Sequence, residues 1–150
     1  MNHEPLLEVK DLKVHFLTEY GKVTAVNGVS FSINKGEIVG IVGESGCGKS
    51  VMSQSIIRLL EHTDAIEYEG EVLFEGQNLL SLPLSKLRAI RGNEISVIFQ
   101  DPLTSLNPVY PIGDQIEEVL RFHQKLSKKE ARQKAIELLR LTGIPDPEVR

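Results

Sequence analysis

The sequence has a single cysteine, no tryptophan and few aromatic residues, which make up 5% of the chain. Because Cys47 has no second cysteine to pair with, no disulfide can form within the chain, which fits a reducing compartment. The acidic and polar start of the chain carries no signal-peptide pattern. The longest apolar stretch, Ile38–Val42, is far shorter than the ~18 residues that span a bilayer. Membrane association is therefore expected only through a partner protein.

A dense basic block is also lacking, and the formal net charge is -4. Sequence-independent binding of nucleic acid needs clustered Lys and Arg, so DNA or RNA is not expected as the main partner. The hydrophobic fraction of 41% and the charged fraction of 25% are ordinary for a globular domain. The four histidines show no metal-ligand spacing and are expected at the surface; they are His3, His15, His62 and His123.

Alternating apolar residues predict strands at Leu6–Phe16 and at Val29–Ile33. The alternation in the first slips between Lys10 and Asp11, which predicts either a bulge or bend there or two short strands. The nearly continuous apolar run Glu37–Val42 predicts a strand covered on both faces, as in a parallel sheet. Further along the chain the patterns predict a helix with an apolar stripe from Met52 to Leu60, strands at Gly70–Gly76 and Ile95–Phe99, and a short helix at Leu84–Arg91.

The last fifty residues predict a loop followed by two helices. Three prolines mark Asp101–Pro111 as the loop. The first helix is marked by Ile116, Val119 and Leu120. The second begins at a capping box of Ser127 and Glu130 and stops near Gly143. The order of elements predicts a mixed α/β fold with an antiparallel portion at the N-terminus.

One segment carries a recognisable chemistry, because Gly43-Glu44-Ser45-Gly46-Cys47-Gly48-Lys49-Ser50 fits G-x-x-x-x-G-K-[ST]. Glycines let the chain curl so that successive backbone N–H groups converge on phosphate, and the following helix points its positive end at the same anion. Lys49 would reach the β and γ phosphates, and the Ser50 hydroxyl would ligate Mg²⁺. The alternative is a glycine-rich turn without function, which the flanking apolar strand and helix disfavour.

Nearly the whole chain resembles the first part of the ATP-binding subunits of ATP-binding cassette (ABC) importers, particularly the oligopeptide, dipeptide and nickel branch. The resemblance lies in AVNGVSFSINKGEIVGIVGESGCGKS, in GEVLFEGQNLL and in ISVIFQDPLTSLNPVYPIGDQI. It implies an ABC-type nucleotide-binding domain with P-loop NTPase fold, incomplete in these residues. Within it, 1–112 would form the β portion and P-loop core, and 113–150 the start of a helical subdomain.

The same resemblance assigns roles to individual residues. The phosphate loop, Gly43 to Ser50, would bind ATP. Gln100 falls on the family glutamine that touches Mg²⁺ and the attacking water, so Gln100 and Lys49 are the predicted catalytic residues and Ser50 and Gln100 the predicted Mg²⁺ ligands. Tyr20 is the predicted adenine-stacking aromatic, with Phe16 in reserve. Alternatively, Tyr20 is only a loop tyrosine and Gln100 only caps a strand end.

The resemblance also implies partners and a location. They are transmembrane permease subunits, a second ATP-binding subunit in a dimer, and the cytoplasmic face of the cell membrane. The family's signature, Walker B strand, catalytic glutamate and switch histidine do not occur in the 150 residues, so the chain is expected to be an N-terminal piece that binds ATP without turning it over. The alternatives are a non-catalytic nucleotide-binding fragment and a soluble ABC ATPase of DNA repair or translation. The transported solute cannot be read from these residues.

Overall fold

The computed structural model describes residues 5–61, 65–101 and 105–149, so His3 and His62 lie outside the described residues. The chain divides into two compact units, Met1–Ile95 and Ser96–Arg150. The first unit contains, among its described residues, the sheet, the phosphate loop, two α-helices and a short 3-10 helix at Leu79–Ser81. The second contains a helical hairpin.

The first unit is built on a four-stranded sheet with the order β2-β1-β3-β4. Its strands are β1 (Leu7–Thr18), β2 (Gly21–Ile33), β3 (Ile66–Phe74) and β4 (Gln77–Asn78). All three neighbouring pairs are antiparallel, as predicted for the N-terminal portion. The strands are longer than predicted, because β2 pairs with β1 from the Thr18–Gly21 turn onward. One face buries Val9, Leu12, Val14, Val26 and Val72.

The bulge predicted between Lys10 and Asp11 is present in β1. The pairing register shifts between Val9 and Leu12, and Asp11 adopts a φ of 45°. Its backbone N–H donates to the Ser30 hydroxyl at 2.8 Å instead of to the regular ladder. Gly70 on β3 faces the bulge, where a Cβ would lie 2.4 Å from the Asp11 backbone oxygen. The bulge therefore requires glycine on the neighbouring strand.

The helix after the phosphate loop, α1, spans Lys49–Ile56 and is shorter than its predicted apolar stripe. It ends because Arg58 adopts a left-handed φ of 53°. The carbonyls released at this end accept hydrogen bonds from Arg91, whose Nε lies 2.8 Å from the Ile57 oxygen and whose Nη2 lies 2.6 Å from the Arg58 oxygen. Arg91 follows helix α2 (Leu84–Ile90) and so fixes the C-terminal end of α1 to it.

Two predicted strands are wrong for this structure. Residues 37–42 form no strand, and of the segment Ile95–Phe99 only Ile95 forms an isolated bridge, to Arg91. Ile38, Val42 and Ile98 are at least 94% exposed. A buried parallel strand needs hydrogen-bonding neighbours and cover on both faces, and the described part of the chain supplies neither to these segments. The apolar pattern therefore predicts that these two segments are buried strands, whereas in the structure several of their apolar side chains are exposed.

The second unit contains α3 (Ile112–Gln124) and α4 (Lys128–Leu141), as the sequence predicts. Leu120, Ala131 and Ala135 are buried between the helices, with Ile116 and Leu126 packed against them. The capping box is present: the Ser127 Oγ accepts from the Glu130 backbone N–H, and the Ser127 backbone N–H donates to the Glu130 carboxylate at 2.9 Å. Residues 105–111 form no helix or strand, in agreement with the predicted loop.

Candidate functional site

The phosphate loop lies on the first unit, between the extended segment 38–42 and the N-terminus of α1. A turn closes it, with the Cys47 backbone N–H donating to the Glu44 oxygen at 3.3 Å. Gly46 and Gly48 adopt φ values of 82° and 93°, in the left-handed region that favours glycine. The left-handed backbone conformation at these two positions explains why the sequence has glycine there, just before the helix begins.

Close contacts also exclude larger residues from two glycines of the loop. A Cβ on Gly48 would lie 2.5 Å from the backbone oxygen of Ala25 on β2, an atom that cannot easily move. A Cβ on Gly43 would lie 2.7 Å from the Cys47 sulfur. Glycine at Gly48 therefore lets the loop lie directly against the sheet, which brings the start of α1 and β2 together.

Lys49 folds back over the loop from the first turn of α1. Its ammonium donates to the Gly43 oxygen at 2.8 Å and to the Glu44 oxygen at 2.7 Å. The Cys47 sulfur lies 3.6 Å from the same nitrogen. Because an ammonium has three donors and sulfur is a weak acceptor, the third donor is available to a stronger acceptor such as a phosphate oxygen. The charge is thus held at the loop before any ligand binds.

The N-terminal end of α1 adds a second source of positive potential. The first N–H groups of a helix have no intrahelical acceptor, and the helix dipole places partial positive charge at this end. No acidic side chain in the first turn and no side-chain cap at Gly48 compete for these donors. Ser50 lies exposed in this first turn. The loop glycines, the ammonium and the helix end together form a site that fits a polyphosphate.

A cavity of about 400 Å³ adjoins the phosphate loop. It is lined mainly by apolar side chains of β2 and of the segment before the loop, and one end is formed by loop residues. Its lining includes Ala25, Val26, Val29, Ile41, Val42, Cys47, Gly48, Lys49 and Met52. The loop therefore has two different sides. Its backbone and Lys49 form a polar side, and its other side is apolar and continuous with β2.

The structure brings together part of the predicted site. Gly43, Glu44, Cys47 and Lys49 are in mutual contact, and Ser45 and Gly46 form the turn between them. Tyr20 occupies the turn between β1 and β2 and is 99% exposed, whereas Phe16 on β1 is partly buried. Gln100 is exposed and belongs to the second unit. The roles predicted for these residues, including adenine stacking and Mg²⁺ binding, remain predictions.

Sequence reasoning missed Ala25, whose backbone oxygen sets how closely Gly48 approaches the sheet. The alternating pattern predicts a strand only from Val29 onward, and Gly28, just before it, adopts a φ of 75° within β2. Among the residues that the structure describes, no group of three His, Cys, Asp or Glu side chains could hold a metal ion. In the same residues, no helix has the length and apolar character needed to span a membrane.

Comparison with known proteins gives consistent similarities. The family model for ABC transporters matches residues 26–150. The oligopeptide transport ATP-binding protein OppD of Bacillus subtilis is 52% identical over 145 residues, which are 97% of this chain and 40% of OppD. The dipeptide transport ATP-binding protein DppD of Bacillus subtilis is 52% identical over 144 residues, 96% of this chain and 43% of DppD. The chain thus spans about two fifths of the length of these relatives.

A solved structure matches as well. The dimeric structure of a post-hydrolysis state of the ATP-binding cassette MJ0796, bound to ADP and Pi, aligns with a TM-score of 0.73 and 27% identity. The alignment covers 93% of this chain and 58% of that one.

Proposed function

Because this chain belongs to the ABC transporter family, we propose that it forms the part of an ATP-binding subunit that binds the phosphates of the nucleotide. We propose that the whole subunit energises the import of peptides. The single observation that carries the nucleotide assignment is the Lys49 ammonium, held on the Gly43 and Glu44 carbonyls beside the N-terminus of α1. In this arrangement the charge, the loop backbone and the helix end can all act on the same phosphates.

The ligand of this site is proposed to be ATP with Mg²⁺. A related cassette, MJ0796, has been solved with ADP and Pi, which supports a nucleoside polyphosphate. Magnesium prefers oxygen ligands in octahedral geometry and usually keeps several waters. Ser50, exposed in the first turn of α1, offers one such oxygen, and Gln100 is proposed to offer a second. Tyr20 is proposed to stack on adenine, since its ring is fully available to a ligand.

Peptide import is proposed from the relatives. OppD and DppD are named for oligopeptide and dipeptide transport and match nearly all of this chain. The partners proposed on this basis are membrane-spanning permease subunits and a second ATP-binding subunit, and the location is the cytoplasmic face of the membrane. The division into a P-loop core at 1–112 and a helical subdomain from 113 onward is part of the same proposal.

Protection of Cys47 from alkylation tests the nucleotide proposal. The Cys47 thiol is the only one in the chain, is exposed, and lies against the Lys49 ammonium. A phosphate at the loop would cover the thiol, so MgATP is expected to slow its alkylation at least severalfold, as measured by mass spectrometry of the intact chain.

A matched pair of variants controls this measurement. Lys49→Ala is expected to abolish the protection by MgATP, whereas Lys35→Ala, which removes an exposed lysine outside the loop, should retain it. Each variant is compared with itself in the presence and absence of nucleotide. This comparison is needed because the Lys49 ammonium lies against the Cys47 sulfur, so that its removal can change the alkylation rate by itself. Equal alkylation rates with and without MgATP in the unmodified chain would contradict nucleotide binding at this loop.

A further inference from the structure

The segment that joins α3 to α4 is strongly basic in a chain that is acidic as a whole. Residues 121–132 contain five Lys or Arg and one Asp or Glu, a local charge of +4 in a chain of net charge -4. They comprise the end of α3, a short turn and the start of α4. We call the segment Arg121–Lys129 the basic turn.

The cations of the basic turn differ from those that follow it in having no ion pair among the residues that the structure describes. Arg132 pairs with the buried Glu117 at 3.2 Å, Lys134 pairs with Glu137 at 2.8 Å, and Arg140 pairs with Glu148. Within the described residues, no ion pair involves the four cations of the basic turn, which are Arg121, Lys125, Lys128 and Lys129. The adjacent carboxylate of Glu130 is engaged by Ser127 in the capping box.

Helix electrostatics account for only half of this charge. Arg121 and Lys125 lie at the C-terminal end of α3, where the helix dipole favours cations. Lys128 and Lys129 are instead the first two residues of α4, at the end that favours anions. Two lysines at the N-terminal end of a helix lower its stability. Their presence is therefore not explained by the stability of α4, whereas binding of an external anion would explain it.

An exposed aromatic side chain lies within the same segment. Phe122 is 62% exposed and touches the edge of His123, with ring centroids 4.8 Å apart. The core of the hairpin is formed by Leu120, Ala131 and Ala135, so Phe122 is not needed to hold the two helices together. A segment that combines an exposed apolar ring with several cations is suited to a surface that is anionic outside and apolar beneath.

From these observations we propose that the basic turn docks on the surface of a bilayer containing anionic phospholipid. Its lysines and arginine would contact headgroup phosphates, and Phe122 would enter the boundary with the acyl chains. A lipid surface fits better than a nucleic acid, because nucleic acid binding needs phosphate contacts along an extended basic face. The basic turn spans only nine residues, and it offers a ring for insertion. The contact adds a direct membrane attachment to the expected attachment through partner subunits.

Sedimentation of the full chain with vesicles tests this proposal. Binding is expected to vesicles that contain phosphatidylglycerol with phosphatidylcholine, not to phosphatidylcholine alone, and to weaken with salt. Each basic residue near an anionic membrane contributes about fivefold in partitioning, so Lys128→Gln combined with Lys129→Gln should lower the partition coefficient about 25-fold. Phe122→Ser should lower it about tenfold.

Controls with the same chemistry lie outside the basic turn. Lys35→Gln combined with Lys86→Gln makes the same change in net charge, and Val109→Ser removes a side chain that is 81% exposed. Both controls should bind vesicles like the parent chain. Lys49→Ala should also bind normally, which separates this proposal from the nucleotide site.

Four results would overturn the proposal. They are equal binding to phosphatidylcholine alone, an equal loss in the control lysine pair, no binding to phosphatidylglycerol vesicles, and tighter binding to a DNA or RNA oligonucleotide that Phe122→Ser leaves unchanged. The last result would identify the basic turn as a nucleic-acid contact.

Discussion

Lys49 shows how a single side chain can be placed before its ligand arrives. Fixing a free lysine costs up to about 2 kcal/mol of side-chain conformational entropy. Hydrogen bonds to the Gly43 and Glu44 carbonyls, both within the loop itself, impose that order. The entropy cost of ordering the Lys49 side chain is therefore part of folding. Binding of phosphate to the ammonium does not require that side chain to be ordered again.

Gly48 offers a test of the loop geometry at the scale of one residue. Gly48→Ala is expected to weaken MgATP binding at least tenfold, because its Cβ would collide with the Ala25 backbone oxygen at a φ that disfavours alanine. Gly40→Ala is the matched control, since a Cβ there meets nothing within 4 Å. Fluorescent-nucleotide titration of both variants measures the difference. Equal affinities would show that the close approach to β2 is not needed for binding.

The composition of the loop was predictable from sequence, whereas its surroundings were not. The pattern of glycine, lysine and serine residues predicts phosphate binding directly from the sequence. In the structure, Gly43, Cys47 and Lys49 are in contact. The part played by Ala25 depends on β2 reaching past Gly28, which follows from cross-strand pairing and not from local periodicity. Backbone contacts of this kind leave no pattern in a single sequence.

At the scale of elements, the capping box at the start of α4 was fully predictable, because its pattern and its contacts are both local. Ser127 and Glu130 satisfy each other's backbone N–H groups. The Ser127 hydroxyl, followed by its backbone N–H, lowers the pKa of Glu130 below its usual value. The ionised carboxylate therefore stabilises α4 at neutral pH, and this contribution is lost as the pH falls through the lowered pKa.

Removing the cap should destabilise the helical hairpin. Ser127→Ala is expected to lower the free energy of unfolding by about 1 kcal/mol at neutral pH, because the N-cap acceptor is lost. Ser127→Asp, which retains an N-cap acceptor, should remain close to the parent. Urea unfolding monitored by helical circular dichroism measures both. An unchanged midpoint and slope in Ser127→Ala would contradict a stabilising role for the capping box.

The two mispredicted strands show where local pattern stops being informative. Helices satisfy their own backbone, so α1, α3 and α4 form where the sequence predicts them. The antiparallel strands β1 and β2 are joined by a tight turn and pair locally. The segment Glu37–Val42, predicted as a strand of a parallel sheet, and the apolar segment Ile95–Phe99 both need neighbouring strands, and the described residues pair neither of them in a sheet. Apolar character alone does not create a strand.

At the scale of the whole molecule, the chain is a member of the ABC transporter family, and the predicted fold class is confirmed by the family match and by the cassette structure of MJ0796. The two predicted apolar strands Glu37–Val42 and Ile95–Phe99 are absent from the described residues, so the sheet that the structure does contain is the antiparallel one. The antiparallel sheet and phosphate loop belong to one compact unit, and the helical hairpin belongs to another. The roles of Gln100 and Tyr20 remain proposals.

The central claim, that Gly43–Ser50 binds the phosphates of a nucleotide through Lys49, is tested most directly by isothermal titration calorimetry of MgATP and MgADP with the chain and with Lys49→Ala. The account predicts saturable 1:1 binding that Lys49→Ala weakens about tenfold or more, in keeping with loss of a charge-assisted hydrogen bond in a phosphate site. Lys35→Ala should bind like the parent. Equal affinity in the Lys49→Ala variant and the parent chain would contradict the account.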